Sequence, residues 1–473
     1  MTIQFSELSL PTFGLPTVEP HIPAAEYAAR VAATRDAMKR AQLNALVVYG
    51  DREHFANLAW LTGYDPRFEE AVAVLTDEAQ TLIVGNEGVG YANLCVARPE
   101  GFSKPFGSNE WNIVLYQTFS LLGQPRDQLV PLRKLLRQAG ITKTARVGVI
   151  GWKYFEQGEL PKPKRTSELP AFILEAVNDA AARGTVRNAT ALFMRPSDGL
   201  RATNSVHQLA RMEYAATLAS QMVRDAIFKL QVGMTEFDAV RAMRWNGWPL
   251  SCHLMLTAGE RAKVGLASPS SRPMQLGDPF TTAVGLWGAL TARAGFLVHD
   301  ESELPEGIRD YLDKLVKPYF AAAVAWYETL DIGVTGGALY KAVHDIVGAP
   351  FFGVGLNPGH LIHLDEWVHS PITNNSMLKL SSGMALQCDI IPATGTDYFT
   401  TNIEDGIALA DEPMRAEFAA LYPEAWGRIA ARQTFMRETL GINLHESVLP
   451  FSNLCAYLPP FLLNPTRAMC VSK

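Results

Sequence analysis

Apolar positions recur along this chain with two different periods. From Ala24 the spacing is helical: Tyr27, Val31, Thr34, Met38 and Leu43 return over a charged opposite face. Short apolar runs at 46–49, 71–75, 81–84 and 146–150 predict buried strands. Residues 54–64 read as a short helix ended by Gly63, and 129–138 as another helix. Alternating helix and strand predicts an α/β domain with a mixed sheet. The Pro196-Ser-Asp-Gly199 break marks its end.

The second half of the chain changes period. Leu209, Met212, Ala216, Ala219, Val223, Ala226 and Leu230 form a one-sided apolar stripe, so a long helix is predicted from Thr203 to the stop at Gly233. Thr235 can cap the next helix, with Asp238 as the acid of a capping box. A second long helix over 308–330 is followed by a similar phrase, Gly333-Val-Thr. This weak internal repeat predicts two similar halves with a ligand cleft where their strands converge. Residues 413–440 are helical in pattern, and the Pro-rich apolar tail over 449–465 is expected to pack. Residues 1–23 lack periodicity and read either as an arm that wraps a neighbour or as a disordered lead. The predicted organisation is an arm over 1–24, an α/β domain over 25–196, and a second domain with its tail over 197–473.

Composition narrows the classes. Of the 473 residues, 48% are hydrophobic and 19% charged, so a large core is expected and global disorder is not. The net charge of −6 argues against nucleic acid as a partner. Five scattered cysteines (Cys95, Cys252, Cys388, Cys455, Cys470) form no C-x-x-C pair, which fits neither a disulfide framework nor a zinc ribbon. No secretory signal or membrane-length apolar run is visible, so a soluble cytoplasmic protein is expected, with no membrane partner.

Chemistry concentrates between Gly353 and Glu404. His360, His363 and His369 fall there with Asp365, Glu366, Asp389, Asp397 and Glu404, several on strand-like apolar segments. Imidazoles and carboxylates on rigid strands serve metal binding or proton transfer. Asp389 and Glu404 lie in apolar surroundings, and two neighbouring buried carboxylates drive their pKa values apart.

The long helix, the Gly-Met-Thr-Glu turn at 233–236, the Gly359-His360 segment, the acid strand ending in Asp389 and the Ile403-Glu404-Asp405 close together resemble the creatinase/prolidase/methionine aminopeptidase family. The Leu61-Thr-Gly-Tyr64 phrase resembles its N-terminal domain. The resemblance runs over about 25–411 and implies a creatinase-type α/β domain followed by a pita-bread domain with a pseudo-twofold repeat, α+β and α/β in class. Peptidases of the family hold two divalent ions with two Asp, one His and two Glu. By this resemblance the Asp positions are Ala283 and Ala292, the His is His360, and the Glu positions are Asp389 and Glu404. Bridging carboxylates offset the repulsion of two dications, so their loss argues against a two-metal centre.

Creatinase keeps the fold without the metal and moves a proton with a histidine. Its histidine position falls at Ala267 or Ser268 here, and an acid of its site at about Ala294. Creatine is therefore not the expected substrate. His253 is a candidate to replace the lost imidazole. The resemblance implies a metal-independent hydrolase of a small C–N bonded compound, an amide or amidine bearing a carboxylate, with His360, Asp389 and Glu404 as catalytic candidates. Substrate-binding candidates are Arg67, Phe68, Glu69, His363, Glu366, Arg261 and Lys263. A homodimer is expected, each N-terminal domain reaching the partner's site through Arg67. No cofactor is expected. The alternatives are an aminopeptidase-like hydrolase or lyase with one divalent metal on His360, Asp389 and Glu404, and a non-catalytic binding relative.

Overall fold

The first strand of the chain pairs with the last. In the computed structural model, which describes residues 2–95 and 111–472, β1 (Ile3–Glu7) runs antiparallel to Arg467–Val471, with Ile3 opposite Val471. Ile3 and Phe5 alternate with polar residues, and Phe5 meets Phe461 edge-on at 5.3 Å. Residues 1–20 accordingly cluster with 203–473 as one compact unit, and 21–202 form the other. The side chain of Cys95 lies outside the described residues.

In the unit of residues 21–202, the apolar runs become central strands. A six-stranded mixed sheet has the order β5 (Asn112–Leu115), β4 (Gln80–Val84), β3 (Ala71–Thr76), β2 (Ala45–Gly50), β6 (Arg146–Ile150), β7 (Thr185–Asn188). Every residue of β2, β3 and β4 is buried, as expected of strands covered on both faces. The helix Ala24–Arg40 lies where the helical period predicts it.

The other unit carries a seven-stranded antiparallel sheet. Its path is β11 (His360–Leu361), β12 (Ala385–Asp389), β13 (Asn402–Leu409), β10 (Ala289–Phe296), β9 (Pro279–Leu286) and β8 (Met255–Ala258), with β14 (Val448–Pro450) added to β13; β15 (Arg467–Val471) forms a separate two-stranded sheet with β1. The long helix Val206–Ile227 begins at Ser205, whose hydroxyl accepts from the Gln208 amide, and packs its apolar stripe on β9 and β10. The second long helix is interrupted: a π-helical turn at Leu312–Val316 precedes Lys317–Thr329, where Pro318 has no amide to donate.

The internal repeat is legible bond by bond. Gly233 donates to Met274 and Gly333 to Leu380, both at 2.8 Å; Glu236 donates to Arg272 and Gly336 to Leu378. Thr235 and Thr335 cap the two following helices, and Asp238 completes the capping box of the first. Residues 447–462 of the tail are buried throughout. Among the described residues no helix is long and apolar enough to cross a membrane.

Candidate active site

Register places the site. Met255 is opposite Ala283, Ala283 opposite Ala292, Ala292 opposite Glu404, and Glu404 opposite Asp389. Directly paired residues share a face, so one row crosses five strands and looks into one cavity of about 780 Å³. The alternate residues face the other way: Arg293 is buried beneath the row, donating to Asp405 at 2.7 Å and to the Tyr457 and Leu454 carbonyls at 2.8 Å. Arg293 thus ties the sheet to the tail.

His360 joins from the edge strand, opposite Gln387. Gly359 precedes it at φ +119°, and a Cβ there would come within 2.5 Å of the Gln387 carbonyl, so only glycine lets β11 approach β12 this closely. The chain then turns back on itself. Leu361 donates to His369, and Val368 donates to Leu361, closing a loop that carries Glu366 and Trp367 over the imidazole. Trp367 stacks on His360 at 3.9 Å.

The imidazole faces three carboxylates. His360 Nδ1 donates to the Leu361 carbonyl at 3.2 Å, which leaves Nε2 toward the cavity. Nε2 lies 3.7 Å from Glu366, 3.8 Å from Asp389 and 3.7 Å from Glu404, beyond direct hydrogen bonding. Nε2, Asp389 Oδ1 and Glu404 Oε1 are buried without a hydrogen-bond partner. Burial pushes the carboxyls of Asp389 and Glu404 well above the usual range. Glu404 adds to the rise at Asp389, and Glu366 to that at Glu404. Glu366, still 32% exposed, is raised by burial against a lowering by His360. Uncompensated carboxylates in such a place are costly, so the cluster requires protons or a cation.

The other sequence candidates are placed as follows. Lys263 lines the cavity and pairs with Glu260 at 3.0 Å. Arg261 is engaged elsewhere, donating to Glu236, Ser270 and the Ser268 carbonyl, and so pins the loop rather than facing the cavity. His363 is buried outside the cavity wall, with Nδ1 accepting from the Leu364 amide. His253 is on the wall near the exposed side, its Nε2 bonded to the Leu266 carbonyl at 2.8 Å. Arg67, Phe68 and Glu69 belong to the unit of residues 21–202. There Arg67 grips Asp65 and lies over Phe55, Phe68 is exposed, and Glu69 accepts from the Glu87 and Gly88 amides. Trp367 and Cys252 also line the cavity and were not singled out from sequence. A tryptophan beside the acid at 366 was the available signal. The Cys252 thiol is pushed up to about 11, first by burial and then by Glu366, which keeps it protonated.

A pair of metal ions does not fit this donor set, because methyl groups stand at Ala283 and Ala292 in the middle of the row. A single ion does fit: ligand atoms of His360, Glu366 and Glu404 lie within 4.8 Å of one another, with Asp389 adjacent. An expectation of no cofactor therefore has no support from the donors themselves.

Comparison with known proteins agrees with this architecture. Residues 30–148 match the family model described as the creatinase/prolidase N-terminal domain. Among solved structures, an Xaa-Pro dipeptidase from Bacillus anthracis aligns with TM-score 0.60 at 15% identity, covering 82% of this chain and 96% of that one. A prolidase from Pyrococcus horikoshii OT3 aligns with TM-score 0.60 at 15% identity, covering 81% and 95%. An X-Pro aminopeptidase from Thermotoga maritima aligns with TM-score 0.59 at 11% identity, covering 81% and 95%. No curated protein matches the chain by sequence.

Proposed function

We propose that this chain, which has a creatinase/prolidase N-terminal domain and the two-domain creatinase/prolidase fold, hydrolyses a C–N bond in a small molecule without a metal pair. The observation that carries the reading is His360 Nε2, buried and without a hydrogen bond, facing Glu366, Asp389 and Glu404. The positive charge these acids need is the substrate's own nitrogen group. Asp389 and Glu404 hold that group from the sheet, and Glu366 closes over it from the loop. His360 then takes a proton from the attacking water as its oxygen bonds to the carbon, and returns it to the departing nitrogen as the C–N bond breaks. Trp367 fixes the plane of the ring, and the apolar wall limits the water that reaches the reacting carbon. Lys263, on the cavity wall, is paired with Glu260.

A second reading is favoured by the same buried atoms. One divalent ion on His360, Glu366, Asp389 and Glu404 would supply a Lewis acid for an aminopeptidase-like hydrolysis. The test is a panel of dipeptides, amides and amidines incubated with chelator-treated protein, with released amine measured by mass spectrometry. Turnover that survives chelation and vanishes in His360→Asn supports the first reading. Turnover that requires added metal supports the second.

A further inference from the structure

The cavity has two chemically distinct ends. At the inner end stand Glu366, Asp389 and Glu404. At the outer end, Val264, Leu266 and Leu356 line the same cavity while remaining 72%, 64% and 48% exposed, beside the exposed His253, Lys263 and Asp397. Val264 and Leu266 flank Gly265, whose φ of +75° turns the loop there. Large aliphatic side chains left in water at the mouth of a cavity mark a surface that an apolar ligand covers. Met255, Ile391 and Phe399 also line the wall.

Positive charge is scarce along this path. Among the described residues that line the cavity, Lys263 is the one lysine or arginine, and it is paired with Glu260. Arg261, the other cation expected on this loop, is held by Glu236. A substrate carboxylate would therefore meet three acids at the inner end and one exposed lysine, shared with Glu260, at the rim.

We infer that the ligand of this cavity is an organic cation, an amine or amidine nitrogen seated among Glu366, Asp389 and Glu404, carried on an apolar body that reaches the Val264–Leu266 mouth and bears no carboxylate. This deepens the proposed function and rests on its reading of the acid cluster as the seat of a positive nitrogen. It replaces the carboxylate-bearing substrate expected from sequence.

The experiment is calorimetric titration of the full chain with three probes: 4-phenylbutylamine, butylamine and 4-phenylbutyrate. The aryl amine is expected to bind about tenfold or more tightly than butylamine, from burial of its ring. Phenylbutyrate is expected to show no binding at concentrations that saturate with the aryl amine. The double variant Val264→Ser/Leu266→Ser should cut the aryl advantage to below about threefold, since most of the apolar contact at the mouth is removed, and leave butylamine affinity unchanged. Phenylbutyrate binding as tightly as the aryl amine would overturn the inference, as would an aryl advantage that survives both substitutions or no binding by either amine. None of the probes has a hydrolysable C–N bond. Tight aryl-amine binding by a chain that cleaves nothing would thus sink the hydrolase reading and leave this inference standing.

Discussion

Ala283 and Ala292 face each other on neighbouring antiparallel strands, in the row that continues into Glu404 and Asp389. The family resemblance places two aspartates there, and this chain has two methyl groups. The consequence is electrostatic: the row keeps acids at one end only. Putting carboxylates back should therefore change metal binding and stability together. Ala283→Asp/Ala292→Asp is expected to lower the Tm of the metal-free protein by several degrees, because new buried acids lack partners. Added Mn2+ should restore it and bind at two equivalents. A double variant as stable as wild type and indifferent to Mn2+ would show that the row is not the ion site.

Loss of His360 should be severe for turnover and mild for folding. His360→Asn keeps a small polar side chain and is expected to reduce the rate by about 10²- to 10⁴-fold, the usual size of a positioned proton-transfer group. Circular dichroism and Tm should stay close to wild type. A variant that retains more than about a tenth of the rate would remove His360 from proton transfer.

The acid cluster also sets a pH dependence of stability. Burial holds the Asp389 and Glu404 carboxyls above their unfolded values, so the folded chain retains protons that the unfolded chain gives up. Their contribution is fully present below the unfolded carboxyl range and is lost as pH rises through the raised folded values. Ligand-free protein should thus lose stability from this source as pH rises from the ordinary carboxyl range through the raised folded values. Glu404→Gln should flatten that slope in urea titrations and leave the variant more stable than wild type at the alkaline end. An unchanged slope would mean that these groups ionise freely in the fold.

Beneath the same strands, Arg293 and Asp405 form a fully buried pair at 2.7 Å. Arg293→Met leaves Asp405 charged without its partner and should cost about 3–5 kcal/mol in urea unfolding. A loss below about 1 kcal/mol, the size of a surface pair, would contradict its role in joining the sheet to the tail.

Much of the fold was legible because its signals are local. The runs at 46–49, 71–75, 81–84 and 146–150 contain enough branched and aliphatic residues to read as buried strands, and all are strands. Thr235 and Asp238 announced their capping box in four residues. Other features depend on partners far away in sequence. The Ile3–Phe5 alternation was too short to predict a strand without Ala468 and Met469 opposite it. Glu366 was read as a substrate-binding candidate but not as a neighbour of His360, because nothing local says that Leu361 and His369 pair and swing it over the imidazole. Arg261 looked available until Glu236, on a different element, was brought against it.

The claim on which the rest depends is that the His360 cluster seats a positive nitrogen of the substrate. It is tested most directly by titrating chelator-treated protein with ethylguanidinium at pH 6, in buffers of different ionisation enthalpy, so that protons exchanged on binding are counted. The expected result is saturable binding with net proton release, as the raised carboxyls ionise around the cation, and loss of that release in Glu404→Gln. No guanidinium binding by metal-free protein, together with stoichiometric uptake of Mn2+ or Zn2+, would contradict it.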